Sequence, residues 1–205
     1  MSSTPAPAPR GRTRGRPRSF DREAALDQAV RVFWEQGYET TSVADLTRVM
    51  GIGAPSLYAA FGDKRALFDE VVAAYGVRYG SFGARALTEE PTARAAVARM
   101  LREAAHVYTS EDHPRGCLVI TAAANCATPE VRSELRARRE ENVTAIRDRI
   151  QADVDAGILP PTTDPTTLAR YTGAVIQGMS QQSRDGATTQ DLTAIATLAL
   201  HAWPT

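Results

Sequence analysis

Two short helical segments separated by a glycine, within residues 40–64, constrain the fold of this chain more than any other feature. Thr41 and Ser42 precede the first segment, and a hydroxyl in such a position accepts a hydrogen bond from an otherwise unpaired backbone N–H group. Apolar residues then recur at helical spacing until Gly51, which can adopt the positive φ that ends a helix. The pattern predicts two helices joined by a tight turn, the second opening near Pro55.

The same stretch resembles a known family. Thr-Thr-x-x-x-x-Leu begins at Thr40, and Gly-Ile-Gly-x-x-Ser-Leu-Tyr-x-x-Phe-x-x-Lys begins at Gly51. Together with the preceding Phe20-Asp21-Arg22, these residues resemble the N-terminal domain of the tetracycline-repressor (TetR) family of transcriptional regulators. The resemblance extends from about Phe20 to Leu67 and is weak beyond. It implies a helix-turn-helix DNA-binding domain, which we place at residues 19–64.

The resemblance also implies which side chains contact double-stranded operator DNA. Thr41, Ser42 and Ala44 match the start of the helix that crosses the DNA backbone, and Lys64 matches the phosphate-binding lysine of the family. The residues that match the groove-facing start of the recognition helix are Ala54, Pro55, Ser56 and Tyr58. This helix lacks arginine, asparagine and glutamine, which are the usual bidentate readers of guanine and adenine. We therefore expect DNA shape and water-mediated contacts to contribute more of the specificity.

Residues 1–18 are predicted to form a disordered basic arm. Residues 1–20 contain five arginines and no acid, although the whole chain balances 24 basic against 24 acidic residues. Such a composition cannot bury enough apolar surface to fold alone. Arg14-Gly15-Arg16-Pro17 resembles the core of AT-hook segments, which lie in narrow A·T-rich minor grooves. Two interpretations stay open: minor-groove binding by Arg14 and Arg16, or a solubilising tail with accidental arginine spacing.

Composition bears on several other classes of protein. A chain of 205 residues with 43% hydrophobic content can form a core in one or two domains. Neither a bilayer-spanning apolar run nor a secretory signal is recognisable, so we expect a cytoplasmic protein without membrane contact. Cys117 and Cys126 imply no disulfide framework; they are either redox or metal sensors or small core residues. Motifs for catalysis or phosphate binding are missing, so no enzymatic activity, cofactor or metal is expected.

Helical periodicity continues to the C-terminus without a β pattern, which predicts an all-α fold of about nine helices. The predicted helices span 22–36, 42–50, 54–61 and 64–80, and further helices open near residues 89, 116, 129, 165 and 190. Glycines at 76, 80 and 83 indicate a weak end to the fourth helix. Gly116-Cys117 resembles a subset of the family that has Gly-Cys at the start of the sixth helix. The family resemblance implies that residues 65–205 form an effector-binding and dimerisation domain.

The last two predicted helices are rich in small residues, which let helix pairs approach closely, as in a four-helix dimer interface. The predicted interface residues are Thr172, Gly173, Val175, Ile176, Gly178, Ile195 and Leu198. The alternative is a tight contact within one subunit. A homodimer is favoured because a helix-turn-helix protein normally matches two half-sites about one helical turn apart or a multiple of that.

The pocket for an unknown small-molecule effector is assigned from residue type alone. Its candidate lining residues combine apolar bulk with a few polar tips, as ligand pockets commonly do. They are Tyr75, Met100, Tyr108, Asn125, Tyr171 and Met179. The alternative is that each is an ordinary core residue.

These features predict a dimeric, sequence-specific DNA-binding transcriptional regulator, a repressor that a small-molecule effector releases. A weakly specific architectural DNA binder that relies on the basic arm is one alternative, and it would show little sequence discrimination. A small-molecule-binding protein or enzyme with a vestigial DNA head is another, and it would show no salt-sensitive operator binding.

Overall fold

The computed structural model describes residues 20–124 and 126–204 and contains ten α-helices in these ranges. They are α1 Arg22–Gln36, α2 Val43–Met50, α3 Ala54–Phe61, α4 Lys64–Arg78, α5 Phe82–Glu89, α6 Ala93–Thr109, α7 Leu118–Thr121, α8 Pro129–Asp155, α9 Pro165–Arg184 and α10 Thr189–Ala199. The described residues form no β-strand, and the predicted all-α class is confirmed. The predictions for the arm, including Arg14 and Arg16, and for Asn125 lie outside the described residues.

The first of two hydrophobic cores lies among α1 to α4. Phe33 and Trp34 of α1 are fully buried, and Phe68 of α4 packs edge-on against Phe33 with ring centroids 5.1 Å apart. Leu118 of α7 and Val131 of α8 complete this core from the C-terminal part of the chain. Packing is therefore continuous across the predicted domain boundary between residues 64 and 65.

The second core surrounds α6, which packs on α5, α8, α9 and α10. Met100 and Leu101 of α6 are buried there together with Ile146 and Ile150 of α8. Because α8 is 27 residues long, it reaches from the first core, where it buries Leu135, into the second. One continuous helix thus belongs to both cores.

Helix α5 is one helix more than the sequence predicts. The glycines at 76, 80 and 83 indicated a weak end to the fourth helix, and α4 does end at Arg78. A new helix follows at once because Phe82 and Ala86 bury one face of α5 against α6. Gly83 lies in this helix, where the Met100 side chain comes within 3.6 Å of the position a Cβ would take. Tertiary burial offsets the poor intrinsic helix propensity of glycine here.

The loop before α7 lies directly on α9. Gly116 has a φ of +79°, and a Cβ on it would lie 2.9 Å from the carbonyl oxygen of Ser180. The next backbone N–H group, that of Cys117, donates to Ser180 Oγ at 2.9 Å. Arg115 extends the contact by donating to the carbonyl oxygen of Ser183 at 3.0 Å. Position 116 therefore requires glycine for conformation and for space.

Replacing Gly116 with alanine should destabilise the fold by about 3 kcal/mol, since left-handed backbone costs a side chain about 1–2 kcal/mol and the clash with α9 adds to it. Gly157→Ala is the matched control, because Gly157 has a φ of +71° with nothing within 4 Å of its Cβ position. We expect that control to lose only about 1 kcal/mol. Urea denaturation followed by circular dichroism measures both; equal losses would contradict the role assigned to close packing.

Candidate nucleic-acid interface and ligand cavity

A capping box fixes the start of α2. The Asp45 N–H group donates to Ser42 Oγ at 3.0 Å, and the Ser42 N–H group donates to Asp45 Oδ2 at 3.3 Å. Hydrogen bonds from Ser42, followed by one from Arg48, lower the pKa of the Asp45 carboxyl group to about 2. Ala44 lies on the exposed side of the same turn. The cap thus holds Ser42 and Ala44, two of the candidate DNA-contacting residues, at the surface.

The turn between α2 and α3 depends on backbone conformation. Gly51 adopts the left-handed region with φ 66° and ψ 27°, and the following Ile52 N–H group donates to the Thr47 carbonyl at 3.1 Å. Gly53 is extended and precedes α3 without a side-chain cap. A turn of only three residues, 51–53, therefore joins the two helices, as in a helix-turn-helix.

Helix α3 is anchored by its later residues and leaves its first turn at the surface. Leu57 is 0% exposed and Phe61 is 4% exposed, so both enter the first core. Pro55 and Ser56 are exposed on the other side, and the Tyr58 ring is 48% exposed. Ala54, at the first helical position, is half-buried. Side chains able to contact base edges or phosphates thus project from the start of α3.

Lys64 lies where α4 begins, next to this surface. Its Nζ atom lies 4.2 Å from the centroid of the Tyr38 ring, a cation–π arrangement. Burial lowers the pKa of Lys64, whereas the nearby Glu39 carboxylate raises it. The ring holds the ammonium group at the helix N-terminus, where phosphate oxygens are also favoured by the helix dipole.

Thr41 corrects the prediction that it contacts DNA. Its side chain is 0% exposed, and its Oγ1 atom donates a 2.7 Å hydrogen bond to the carbonyl oxygen of Gly37. The hydroxyl therefore shapes the link between α1 and α2 and is not available to a phosphate. The sequence motif could not distinguish this role, because a threonine beside a helix start serves equally as a cap, a loop tie or a DNA contact.

Most basic side chains near the helix-turn-helix are already paired with carboxylates. Arg22 binds Glu70 at 2.7 Å, and Arg48 binds Asp45 at 2.8 Å. Arg65 bridges Asp69 at 2.7 Å and the α8 residue Glu134 at 2.5 Å, and Arg78 pairs with Glu23 and Asp27 of α1. The DNA-binding domain is called the DNA head below. Its described residues, 20–64, together with the start of α4, therefore offer few unpaired cations to DNA.

A cavity of about 740 Å³ lies between the two cores, lined by residues of α4, α5, α6, α8 and α9. Tyr75, Met100 and Tyr108, three of the candidate effector-pocket residues, line it. Met179 does not, because it is 0% exposed within the second core. Tyr171 is also outside the lining, and its hydroxyl donates to the Ala199 carbonyl at 3.3 Å. These last two positions correct the predicted pocket.

The two tyrosines form a buried polar edge of the cavity together with Cys117. Burial is the main cause that raises the pKa values of both Tyr75 and Tyr108 well above their usual range, and the neighbouring cysteine raises them further. Both phenols are therefore neutral at physiological pH, as hydrogen-bond donors and acceptors. Cys117 is a free, half-buried thiol, and Cys126 is free and buried.

Two protein-family models match this chain. The model of bacterial regulatory proteins of the tetR family covers residues 25–71, and that of the tetracyclin repressor-like C-terminal domain covers residues 86–198. The chain belongs to the TetR family.

Relatives of this TetR protein match it along nearly the whole length. The transcriptional repressor ComR of Escherichia coli K12 is 37% identical, over 94% of this chain and 93% of ComR. BdcR of the same organism, also a transcriptional repressor, is 31% identical over 92% and 91%. A cysteine mutant of the TetR regulator CifR, solved with 26-base-pair double-strand operator DNA, is 44% identical with a TM-score of 0.86 over 93% of this chain and 100% of that one.

The α9–α10 surface of this TetR chain separates the predicted dimer residues into two groups. Thr172 is buried and donates to the Leu168 carbonyl at 2.9 Å, while a Cβ on Gly173 would lie 3.0 Å from Val143 of α8. Both residues therefore serve a contact within one subunit, which corrects their assignment to the interface. Ile176, together with Gly173, also lines the cavity. The remaining predicted residues are half-buried or exposed and comprise Val175, Gly178, Ile195 and Leu198.

Sequence reasoning missed the polar wall of the cavity, which α8 supplies through Arg138, Arg139, Glu141 and Asn142. A signal for it was present: Arg138, Arg139 and Asn142 occupy the helical register between the buried residues Leu135 and Ile146. Polar residues on an otherwise apolar stripe indicate either a buried network or a ligand. In residues 20–124 and 126–204 no three His, Cys, Asp or Glu side chains are grouped to hold a metal, and no helix has the length and apolarity of a membrane span.

The exposed side chains of α3 and the neighbouring Lys64 of α4 should divide their roles in DNA binding. Tyr58→Phe and Lys64→Ala should weaken binding to all sequences, because each removes a contact suited to phosphate. Ser56→Ala should instead alter preference at one base position, at a cost of about 1–3 kcal/mol for the preferred site. Competition binding to a library of single-base operator variants measures both effects.

Thr41→Val is the control for these variants, because it removes a buried hydroxyl that does not reach the surface. It should lower the unfolding temperature and leave the sequence preference of the folded protein unchanged. A uniform loss of affinity from Ser56→Ala across the library would refute the assigned division of roles.

Proposed function

We propose that this protein is a dimeric, sequence-specific DNA-binding repressor that a small-molecule effector releases from its operator. The observation that carries the proposal is the exposed first turn of α3, with Ser56 and Tyr58 at the surface of an intact helix-turn-helix. ComR and BdcR, which are named transcriptional repressors, and CifR, which was solved with operator DNA, support the extension to this chain.

Helix α4 provides the first physical link between an effector and DNA. Leu67 and Phe68, near its N-terminus, are buried in the core of the DNA head, whereas Tyr75 and Gly76, two turns later, line the cavity. A helix transmits displacement along its axis because its backbone hydrogen bonds are continuous. A ligand that moves the cavity end of α4 therefore moves the head to which its other end is packed.

The segment from Cys117 to Thr128 provides a second link. Val119 and Ile120 face the cavity, and Ala122 packs into the head core beside Gly37. The Thr128 N–H group donates to Glu39 Oε1 at 2.7 Å, and hydrogen bonds at Thr128 lower the pKa of the Glu39 carboxyl group. An effector that binds better to a different arrangement of these two links shifts the population away from the DNA-binding state.

The proposal keeps the division into an arm at 1–18, a DNA-binding domain at 19–64 and an effector and dimerisation domain at 65–205. It includes membership in the Gly-Cys subset, for which the close approach of Gly116 to α9 supplies a structural reason. Enzymatic activity is not part of it, since the relatives ComR and BdcR are named transcriptional repressors. Its site of action is cytoplasmic DNA.

Fluorescence anisotropy with DNA from the intergenic region upstream of the gene and of its neighbours tests the proposal. We expect salt-dependent binding to one fragment, at least 1000-fold or so tighter than to scrambled DNA of equal length. Equal binding to both would indicate an architectural protein, and no salt-sensitive binding to any fragment would indicate a vestigial head. Either result would refute the proposed function.

Removing residues 1–18 should reduce the salt dependence of operator binding. The paired cations of the head leave much of the electrostatic affinity to the five arginines of the arm. The slope of log K against log salt should become shallower by about 0.9 for each phosphate that the shortened chain no longer neutralises. A variant with Arg14 and Arg16 changed to glutamine separates minor-groove binding by these two residues from attraction by the overall charge of the arm. An unchanged salt slope after removal of residues 1–18 would exclude the arm from DNA binding.

Leu198→Glu should convert the proposed dimer into a monomer. Leu198 is 69% exposed on α10, and a buried unpaired carboxylate at an interface is strongly unfavourable. Ile158→Glu is the matched control, because Ile158 is 53% exposed in the loop after α8. Analytical ultracentrifugation at micromolar concentration should give dimer mass for the original chain and the control, and monomer mass for Leu198→Glu. A monomeric original chain would contradict the proposed assembly.

A further inference from the structure

The cavity has an apolar side and a charged side. Helices α4 and α5 contribute Val72, Val77, Phe82 and Leu87, together with glycines and alanines that leave space for a ligand. The opposing α8 contributes two arginines against one acidic residue, Glu141. A volume of about 740 Å³ is that of a pocket for a small organic molecule. The distribution suits a ligand with an apolar body and one polar end.

Arg138 has an unused hydrogen-bond donor at the charged side. Its Nε–H group is buried and has no hydrogen-bond partner among the described residues. Its guanidinium lies 3.6 Å from Glu134, a carboxylate that already binds Arg65 at 2.5 Å. Because a buried donor without an acceptor costs free energy, a ligand oxygen that reached Nε would be favoured.

The guanidinium group of Arg139 is a second candidate, and only part of it is hydrogen-bonded. One of its terminal nitrogens, Nη1, donates to the Val119 carbonyl at 3.0 Å, and its other N–H groups have no partner among residues 20–124 and 126–204. Val119 lies on the segment that joins the cavity to the DNA head, so a ligand on Arg139 would act next to that link. Guanidinium groups match the planar geometry of carboxylates and bind them through charge-assisted hydrogen bonds.

We propose that the effector class is an amphipathic carboxylate, whose apolar body contacts α4 and α5 and whose carboxylate group accepts hydrogen bonds from Arg138 and Arg139. This inference rests on the proposed function, since it names the chemistry of the molecule that would fill the same cavity. The two arginines outnumber Glu141 on this wall and set the preference for negative charge.

Calorimetric titration of the full chain with three probes of equal chain length tests the inference. The probes are decanoate, decan-1-ol and decylamine near neutral pH, the two ionic probes below their micelle concentrations and decan-1-ol below its solubility limit. Decanoate should bind about tenfold or more tightly than decan-1-ol, since it alone pairs a negative charge with the guanidinium groups of the arginines. Decylamine should bind most weakly. Equal affinities, tighter binding of decylamine, or no binding of any probe would overturn the inference.

Substitutions on α8 show which arginine causes the preference for decanoate. Arg138→Gln should reduce decanoate binding about tenfold and leave decan-1-ol binding unchanged. Arg136→Gln is the matched control, because Arg136 is exposed on the same helix and does not line the cavity. It should leave the ratio of the two affinities unchanged. A similar loss in both variants would show general electrostatics and overturn the assignment to Arg138.

Operator binding without a ligand is measured separately on the same preparations. If the chain binds its operator but does not prefer decanoate to decan-1-ol, this inference is overturned and the proposed function stands. If the chain prefers decanoate but binds no operator, this inference is supported and the proposed function is refuted.

Discussion

The burial of α4 in the first core is the interaction on which the rest of the molecule depends. Phe68 packs against Phe33 of α1 and Tyr38, with ring centroids 5.1 and 5.0 Å apart, and this fixes the start of α4 within the DNA head. The same helix continues to Tyr75 at the cavity. The position of α3, the shape of the cavity and the relation between them therefore share one rigid element. Weakening these aromatic contacts would loosen the packing that joins the cavity end of α4 to the DNA head.

Local chemistry determined what could be predicted from the sequence. The bounds of α1 and α3 agree with prediction because the signals at their starts, Asp21 before α1 and Pro55 in the first turn of α3, act within one helical turn. Helix α5 was missed because its stability depends on burial against α6, which no local signal reports. The family motif assigns Ser56 and Tyr58 to the recognition helix, and both are exposed, yet the motif could not show that Thr41 faces inward.

Pocket and interface residues were harder to predict because helical periodicity separates only buried from exposed positions. It does not separate core residues from cavity-lining residues, or contacts within a subunit from contacts between subunits. Tyr75 and Met179 have the same pattern of spacing, but one lines a cavity and the other fills a core. Small residues carry a similar ambiguity: Gly173 allows close approach to α8 of the same chain, whereas Gly178 is exposed. Which helix packs closely against a small residue depends on the three-dimensional arrangement of the helices.

The pairing of charges in the head has a consequence for specificity. Ion pairs such as Arg22–Glu70 and Arg48–Asp45 hold helices and caps in place, so these arginines cannot bind phosphate without giving up a structural contact. An exposed pair contributes little stability, about 0–1 kcal/mol, yet it still neutralises the local field. Because α3 also lacks bidentate readers, we propose that the head recognises DNA through the fit of a small apolar and hydroxyl-bearing surface to the groove. Such recognition would depend on the separation of two recognition helices, so DNA binding would be sensitive to small displacements of α4. A reader built from many arginines would tolerate such displacements and would respond poorly to an effector.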